Sequence, residues 1–459
     1  MGVILKVSTF RMNLLPRTML SRVGWTTAGY GIVQVIRLLN NVVLARLLAP
    51  ELFGIMLIVN SVRVGIELMS DIGLGQNIVS NPHADDSVFY DTAWTLQVIR
   101  GTVLGSACFM LSWPIAWFYG NPTLGPVLAV ASIFFLFAGF ESSSRFIAQK
   151  HLQVRALSIF EVGCSAFGVI AHIILALITP TIWALVFGSV VATAGVLVGT
   201  FMIIPGMRHR FIIDRRAMGE ILTFGRWVFI SSVAYFLAMN FDRLYMAHAV
   251  PLAVLGTYGI ARSLADILNL MVARLGNTIV FPMVARSSGD TVALRARLAH
   301  SRPLVLLAAA AAVGAFTAGA DLVVSILYDA RYQTAGQMLP ALSVGVWFAI
   351  LSTINESVLL GIGKPAYGAS ANLSKFGWML IGLPIAVSFH GIAGAVVVMA
   401  SAEVIRYVPL WWAQKREHLS FARQDAAMTV VMLCFAVGFR EILWLIGFTG
   451  NIASMLPWK

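Results

Sequence analysis

The sequence predicts an all-α polytopic membrane protein: about 12 core transmembrane helices in two six-helix lobes, plus a C-terminal apolar segment. Three observations predict it. The chain has 459 residues, of which 59% are hydrophobic and only 11% charged, whereas soluble domains hold about 45–50% apolar residues. Its apolar stretches recur at the length of a bilayer span, about 20 residues. The two halves also match each other at a fixed offset.

The apolar segments run over about 22–46, 51–75, 92–118, 124–146, 156–178, 181–205, 221–247, 252–285, 303–327, 336–361, 366–388 and 392–413, with a thirteenth over about 425–448. Residues 1–20 are basic and only mildly apolar, without the compact apolar run and cleavage site of a secretory signal, so the first span is expected to be a retained signal anchor. The expected organisation is a cytoplasmic N-terminal tail (1–21), an N-terminal six-helix lobe (22–205), a cytoplasmic linker (206–220), a C-terminal six-helix lobe (221–414) and an additional C-terminal membrane segment (415–459). The tail from Phe448 to Lys459 is too short for a further full span.

Cytoplasmic loops collect Lys and Arg. With the N-terminus in the cytoplasm, nineteen basic residues fall in inside segments. Only Arg331, and Arg46 and Arg243 near helix ends, fall outside. The inside loop 76–91 departs from the pattern by carrying Asp85, Asp86 and Asp91, but acids count little in this rule. Outside connections such as Thr179–Thr181, Val250–Leu252 and His390–Gly391 are only a few residues long.

At an offset of 202, Trp25 matches Trp227, Ala45 matches Ala247, Gly54 matches Gly256, Ile58 matches Ile260 and Ser61 matches Ser263. Six spans per repeat give both halves the same orientation, hence a parallel repeat with a cleft between the lobes.

The net charge of +12 does not point to nucleic acid, because no basic stretch is long enough to form a groove. Cys108, Cys164 and Cys434 lie in apolar surroundings and are expected as small core residues. No CxxC and no HExxH occurs, and neither a metal site, a cofactor nor a catalytic group is expected. Gly361-Ile362-Gly363-Lys364 lacks the rest of a phosphate-loop pattern and reads as turn chemistry. His172, alone on an apolar helix, reads as a packing or hydrogen-bonding residue.

The informative residues are charges inside the apolar segments, because a cation at a bilayer centre costs about 2.5–3.5 kcal/mol on insertion scales. Arg63, Glu67 and Asp71 share one face of the second helix, and Arg262, Asp266 and Asn269 one face of the eighth. Each stripe is either a cavity lining or an internal ion pair. The acids Glu67, Asp71 and Asp266 are candidates for ion coupling. Arg406 has Glu403 one turn before it. Arg37, Arg100 and Lys375 have no acid one turn away, so each needs an anionic ligand or an interhelical partner such as Glu141, Glu161, Glu356 or Glu403. With Arg63 and Arg262, these three form the expected substrate-binding set.

The segments Asn41–Gly54 (NVVLARLLAPELFG) and Asp71–Leu74 (DIGL) resemble the opening of bacterial oligosaccharide flippases of the Wzx and polysaccharide-transporter type. So do Asn240–Gly256 (NFDRLYMAHAVPLAVLG) and Phe281–Arg286 (FPMVAR) in the second half. That superfamily also holds MATE drug exporters and lipid II flippases. The resemblance implies two six-helix lobes in a V around a cationic cavity. It implies a polyprenyl-pyrophosphate-linked oligosaccharide as cargo, crossing the bacterial inner membrane by alternating access for surface polysaccharide assembly. Membrane lipids, a polysaccharide polymerase and a chain-length regulator are the partners expected with it. The rival readings are an ion-coupled MATE-type multidrug exporter, whose cationic substrates fit poorly with deep cations, and a membrane glycosyltransferase or polysaccharide polymerase. The latter needs a large extracytoplasmic loop, which the short outside connections do not supply.

Overall fold

In a computed structural model, the structure describes residues 17–81, 83, 86–204, 207–275, 291–362, 364 and 366–450. The expected tail (as far as residue 16), Asp85, Pro205, Phe281–Arg286, Gly363 and the chain beyond residue 450 lie outside the described residues.

The first lobe comprises α1 (Arg17–Leu47), α2 (Pro50–Leu68), the short α3 (Leu74–Ser80), α4 (Ser87–Phe118), α5 (Leu124–Ala131), α6 (Ile133–Phe140), α7 (Ser144–Lys150), α8 (Val154–Ile178) and α9 (Ile182–Ile203). The second comprises α10 (Arg215–Ala249), α11 (Leu252–Leu275), α12 (Thr291–Ala318), α13 (Ala320–Leu327), α14 (Gln333–Gly361) and the helical hairpin α15 (Ala366–Arg416). The last helix, α16 (Ala422–Leu445), packs along α12. Among the described residues, seven helices are long and apolar enough to cross a membrane, or up to nine if the bent pairs 124–140 with α7 and 302–318 with α13 each form one span. Outside this set fall helices that carry charges: α2 holds Glu51, Arg63 and Glu67 within nineteen residues.

α15 is one element by hydrogen bonding, but Gly391 (φ 55°, ψ −137°) breaks it into antiparallel arms. A left-handed φ is nearly free for glycine alone, which explains the two-residue connection predicted at His390–Gly391. The arms cross-link at Trp378 Nε1, which donates to Ser401 Oγ at 2.9 Å. At Gly394 a β-carbon would fall 2.3 Å from the Ala386 carbonyl oxygen.

The lobes meet through α2, which packs on α10 and α11. The matched glycines of the repeat make this contact, each against the other's helix start. A β-carbon on Gly54 would fall 2.2 Å from the Leu252 carbonyl oxygen, and one on Gly256 2.0 Å from that of Pro50. Small residues let two backbones approach where lipid gives no hydrophobic drive to associate. One apolar cluster then runs through both lobes, including Ile55, Ile58, Leu255, Tyr258 and Trp347. Cys108 is buried, but Cys434 is exposed on the face of α16, a correction to its expected core position. His172 lies 2.8 Å from the Gly168 carbonyl and 3.1 Å from Ser189 Oγ, both satisfying its ring.

Between the lobes, residues 207–214 run extended along the first turns of α4. The Arg210, Ile212 and Asp214 amides donate to Asp91, Thr95 and Thr92 of α4. Asp214 then caps α10, accepting from the Arg216 and Ala217 amides. His209 pins this strap: its ring stacks on Trp94 at 5.1 Å, bonds Ser142 Oγ at 2.8 Å and lies 3.6 Å from Asp91. Burial pushes its pKa below the ordinary imidazole value, with Asp91 opposing. The docked strap therefore favours neutral imidazole. For a histidine with a lowered folded pKa, the stabilisation is fully present above the unfolded value, about 6.5, and is lost as pH falls through the folded value. Intrinsic-rate-corrected amide protection at Arg210, Ile212 and Asp214 should accordingly fall as the pH drops below about 6.5. In His209→Phe that pH dependence should vanish; retention of it would assign the effect elsewhere.

Candidate functional site: a charged cavity in the first lobe

The helix over 124–150 is broken where the chain runs Phe140-Glu141-Ser142-Ser143, and α7 leaves at 51° to the 124–140 pair. The break frees carbonyls at the end of α6, and Gln97 of α4 answers them, its Nε2 donating to Ala138, Gly139 and Glu141 at 2.8, 3.3 and 3.1 Å. Gly101 and Gly139 let α4 and α6 meet closely, since a β-carbon on Gly101 would lie 2.6 Å from Gly139 Cα.

Behind this break opens a cavity of about 790 Å³ bounded by α2, α3, α4, α6, α7 and α9. All of its lining residues belong to the first lobe. This cavity therefore lies within one lobe, whereas the expected cavity lay between the two.

Six ionisable side chains line it: Arg63, Arg100 and Arg145, with Glu67, Asp71 and Glu141. Among the described residues, none of the six forms an ion pair within 4.0 Å. The arginines are held by other means. Arg100 Nη2 donates to the Glu67 carbonyl at 2.7 Å and to Ser70 Oγ at 3.1 Å. It thereby serves the open carbonyls at the C-terminal end of α2. The Arg63 guanidinium lies 5.5 Å from the Phe134 ring centroid, and its buried Nε has no hydrogen-bond partner. Asp71 accepts from the Gly73 amide at 2.9 Å and from Ser232 Oγ of α10 at 3.3 Å. It is therefore the cavity acid in touch with the second lobe.

The second lobe treats its charges in the opposite way. Lys375 is fully buried, and its Nζ donates to Glu403 Oε1 at 2.6 Å across the α15 hairpin. Arg262 lies 3.2 Å from Asp266 and 4.0 Å from Glu403, and Arg243 lies 3.7 Å from Asp266. Arg406 pairs with Glu356 of α14 at 2.7 Å, nearer than its local neighbour Glu403 at 3.7 Å. These seven residues form one connected network.

The structure thus separates the eight candidates. Arg63, Arg100, Glu67 and Asp71 share the cavity. Lys375, Arg262 and Asp266 are locked in the network. For Lys375 the structure supplies the second of the two expected alternatives, an interhelical acid in place of an anionic ligand: Glu403 of the other hairpin arm, 28 residues away. Arg37 sits on an exposed side of α1, outside the cavity.

Sequence reasoning missed Arg145, counted only as a loop cation, because the bend that turns it inward has no strong sequence mark. It also missed the clamps on α16. Arg302 pairs with Asp425 at 2.7 Å, with Tyr407 donating to the same acid at 2.7 Å. Arg440 pairs with Asp321 at 2.7 Å. The available signal was that Arg440 and Asp425 both lie within one apolar segment.

The fold and site together define a two-lobed, multi-pass helical membrane protein with a charged cavity in its first lobe. A family model described as Polysaccharide biosynthesis protein matches residues 43–337, and the chain belongs to that family. It is 24% identical over 289 residues to the lipopolysaccharide biosynthesis protein WzxC of Escherichia coli K12. That match spans 62% of this chain and 58% of the relative. It is 21% identical over 356 residues to the teichuronic acid biosynthesis protein TuaB of Bacillus subtilis 168, spanning 77% of this chain and 73% of that protein. Among solved structures, the lipid II flippase MurJ in an inward closed conformation superposes with a TM-score of 0.69 at 15% identity, covering 94% of each chain. An inward-facing MATE family multidrug resistance transporter superposes with 0.64 at 13% identity, covering 89% of this chain and 98% of the other. At such identities these likenesses speak for the fold alone.

Proposed function

We propose that this protein is a flippase that carries a polyprenyl-pyrophosphate-linked oligosaccharide across the bacterial inner membrane by alternating access, with its N-terminus in the cytoplasm. The observation that carries the reading is the contrast between the lobes: the second pairs its embedded charges, while the first gathers three arginines and three acids around one cavity with no ion pair within 4.0 Å among the described residues. Guanidiniums held by carbonyl, hydroxyl and ring contacts rather than by a carboxylate keep their donors available, and an anion that enters the cavity offsets the cost of embedding them. Pyrophosphate is a compact anion whose lost hydration guanidinium groups replace with charge-assisted hydrogen bonds. Arg63 and Arg100 are the contacts assigned to it, with Arg145 at the α7 side. Glu67 and Asp71 are assigned to ion coupling, and Asp71 reaches the second lobe through Ser232. Membership of a polysaccharide biosynthesis family and relatives named for lipopolysaccharide and teichuronic acid biosynthesis support the cargo class.

The test in cells is deletion. Loss of the protein should accumulate lipid-linked oligosaccharide on the cytoplasmic leaflet, and the wild-type gene should clear it. An unchanged lipid-linked pool with raised drug sensitivity would instead indicate a drug exporter.

A further inference from the structure

Two of the three cations that break the charge bias of the loops, Arg46 and Arg331, meet at the α1–α2 end of the molecule. Arg46, at the end of α1, donates across to the second lobe: to the Ile326 carbonyl at 3.1 Å and the Leu327 carbonyl at 3.4 Å. Those are the last two carbonyls of α13. Arg331, in the turn after α13, donates back to the Ala45 and Arg46 carbonyls at 3.0 and 3.3 Å. Those belong to the last turn of α1. Each arginine therefore caps the other lobe's helix C-terminus, where open carbonyls and the helix dipole favour a cation. Asp329 holds Arg331 in this pose, accepting from its Nε at 2.9 Å, and this contact raises the Arg331 pKa and lowers that of Asp329.

Behind the arginines the closure is polar as well. Tyr332 donates to the Leu48 carbonyl at 3.4 Å, and Tyr119 of the first lobe donates to the Leu244 carbonyl of α10 at 3.3 Å. With the reciprocal seat of Gly54 and Gly256, the polar contacts that shut the lobes at this end go to backbone oxygen and not to a buried carboxylate, above the apolar cluster that holds Leu48 and Tyr332. Such contacts can open: both guanidiniums are already solvent-exposed, and water can replace each bond that is lost. A buried carboxylate partner would make opening far more costly.

We propose that Arg46 and Arg331 are gate residues: a reciprocal clasp that holds the lobes together at the outer end and releases in each transport cycle, with Asp329 positioning Arg331. This rests on the flippase reading for its role in a cycle, and on the geometry above for its existence. The positive-inside bias is broken here because these two cations serve helix ends and not a loop.

The test is a distance measurement on the purified full chain in lipid nanodiscs. Nitroxide labels at Thr179 and His390 report the separation of the two outer hairpin tips. Cys164 and Cys434 are replaced by serine, and the buried Cys108 is left in place. The wild type should give one dominant distance. In Arg46→Ala and Arg331→Ala a longer distance should grow about five- to tenfold in relative population, a shift expected for charge-assisted hydrogen bonds weakened by exposure. Asp329→Asn should give a smaller shift in the same direction, and it carries the test should an arginine variant fail to fold. Distributions unchanged from wild type in the folded variants would overturn the clasp. The readout needs no cargo, so failure of the flippase reading would leave the shift intact. Failure of the clasp would leave cargo transport intact.

Discussion

Replacing Lys375 by methionine should destabilise the protein by about 3–5 kcal/mol, because it leaves the Glu403 carboxylate with its closest partner removed in a buried site. Lys375 is fully buried, and Glu403, at 2.6 Å, is its acid among the described residues. Arg262 and Arg406 also face Glu403, but each has another acid, Asp266 and Glu356 respectively. The double variant Lys375→Met with Glu403→Gln should therefore recover most of the loss, since it removes the charge that the single variant strands. Thermal unfolding in detergent measures both. A single variant that unfolds like wild type yet stops transport would return Lys375 to the cargo site and remove the contrast between the lobes.

The second large effect is expected at the opposite kind of site. Arg63→Ala and Arg100→Ala should each lower transport by about ten- to a hundredfold, corresponding to the loss of charged hydrogen bonds worth about 1.5–3 kcal/mol. Neither should unfold the protein, because neither side chain neutralises a buried acid. Arg37→Ala, equally deep by sequence but outside the cavity, should transport at close to the wild-type rate. Glu67→Gln and Asp71→Asn should abolish the dependence on an ion gradient while leaving exchange of cargo across the membrane. Transport rates set beside unfolding temperatures for this set of variants separate loss of cargo contact from loss of structure. Equal defects at Arg37 and Arg100 would mean that cavity position does not matter.

The fold class was legible because membrane insertion constrains sequence so strongly. Long apolar segments, charge bias in loops and a repeat carried by Trp25, Gly54 and their matches point to two helical lobes. Gly54 and Gly256 were readable as a matched pair, though their contact with each other's helix was not. The site was legible in part. Spacing of four placed Arg63, Glu67 and Asp71 on one face, and the cavity gathers them. The same spacing at Arg262 and Asp266 yields a local ion pair, because α15 brings Glu403 close and closes the space. A one-helix pattern cannot register what another helix supplies, and for that reason the absence of a local acid at Lys375 said nothing about its partner. Arg46 and Arg331 were visible as exceptions to a rule, but the helix ends they cap lie about 280 residues away in sequence.

The central claim is that the arginines of the first-lobe cavity conduct an anionic lipid-linked sugar. Its most direct measurement uses purified protein in vesicles loaded with polyprenyl-pyrophosphate-linked oligosaccharide on one leaflet, with its appearance on the other followed by enzymatic trimming of the sugar. Wild-type protein should equilibrate the two leaflets, Arg37→Ala should do so at a similar rate, and Arg63→Ala with Arg100→Ala combined should fall to the rate of protein-free vesicles. Translocation by the double variant at the wild-type rate would contradict the account.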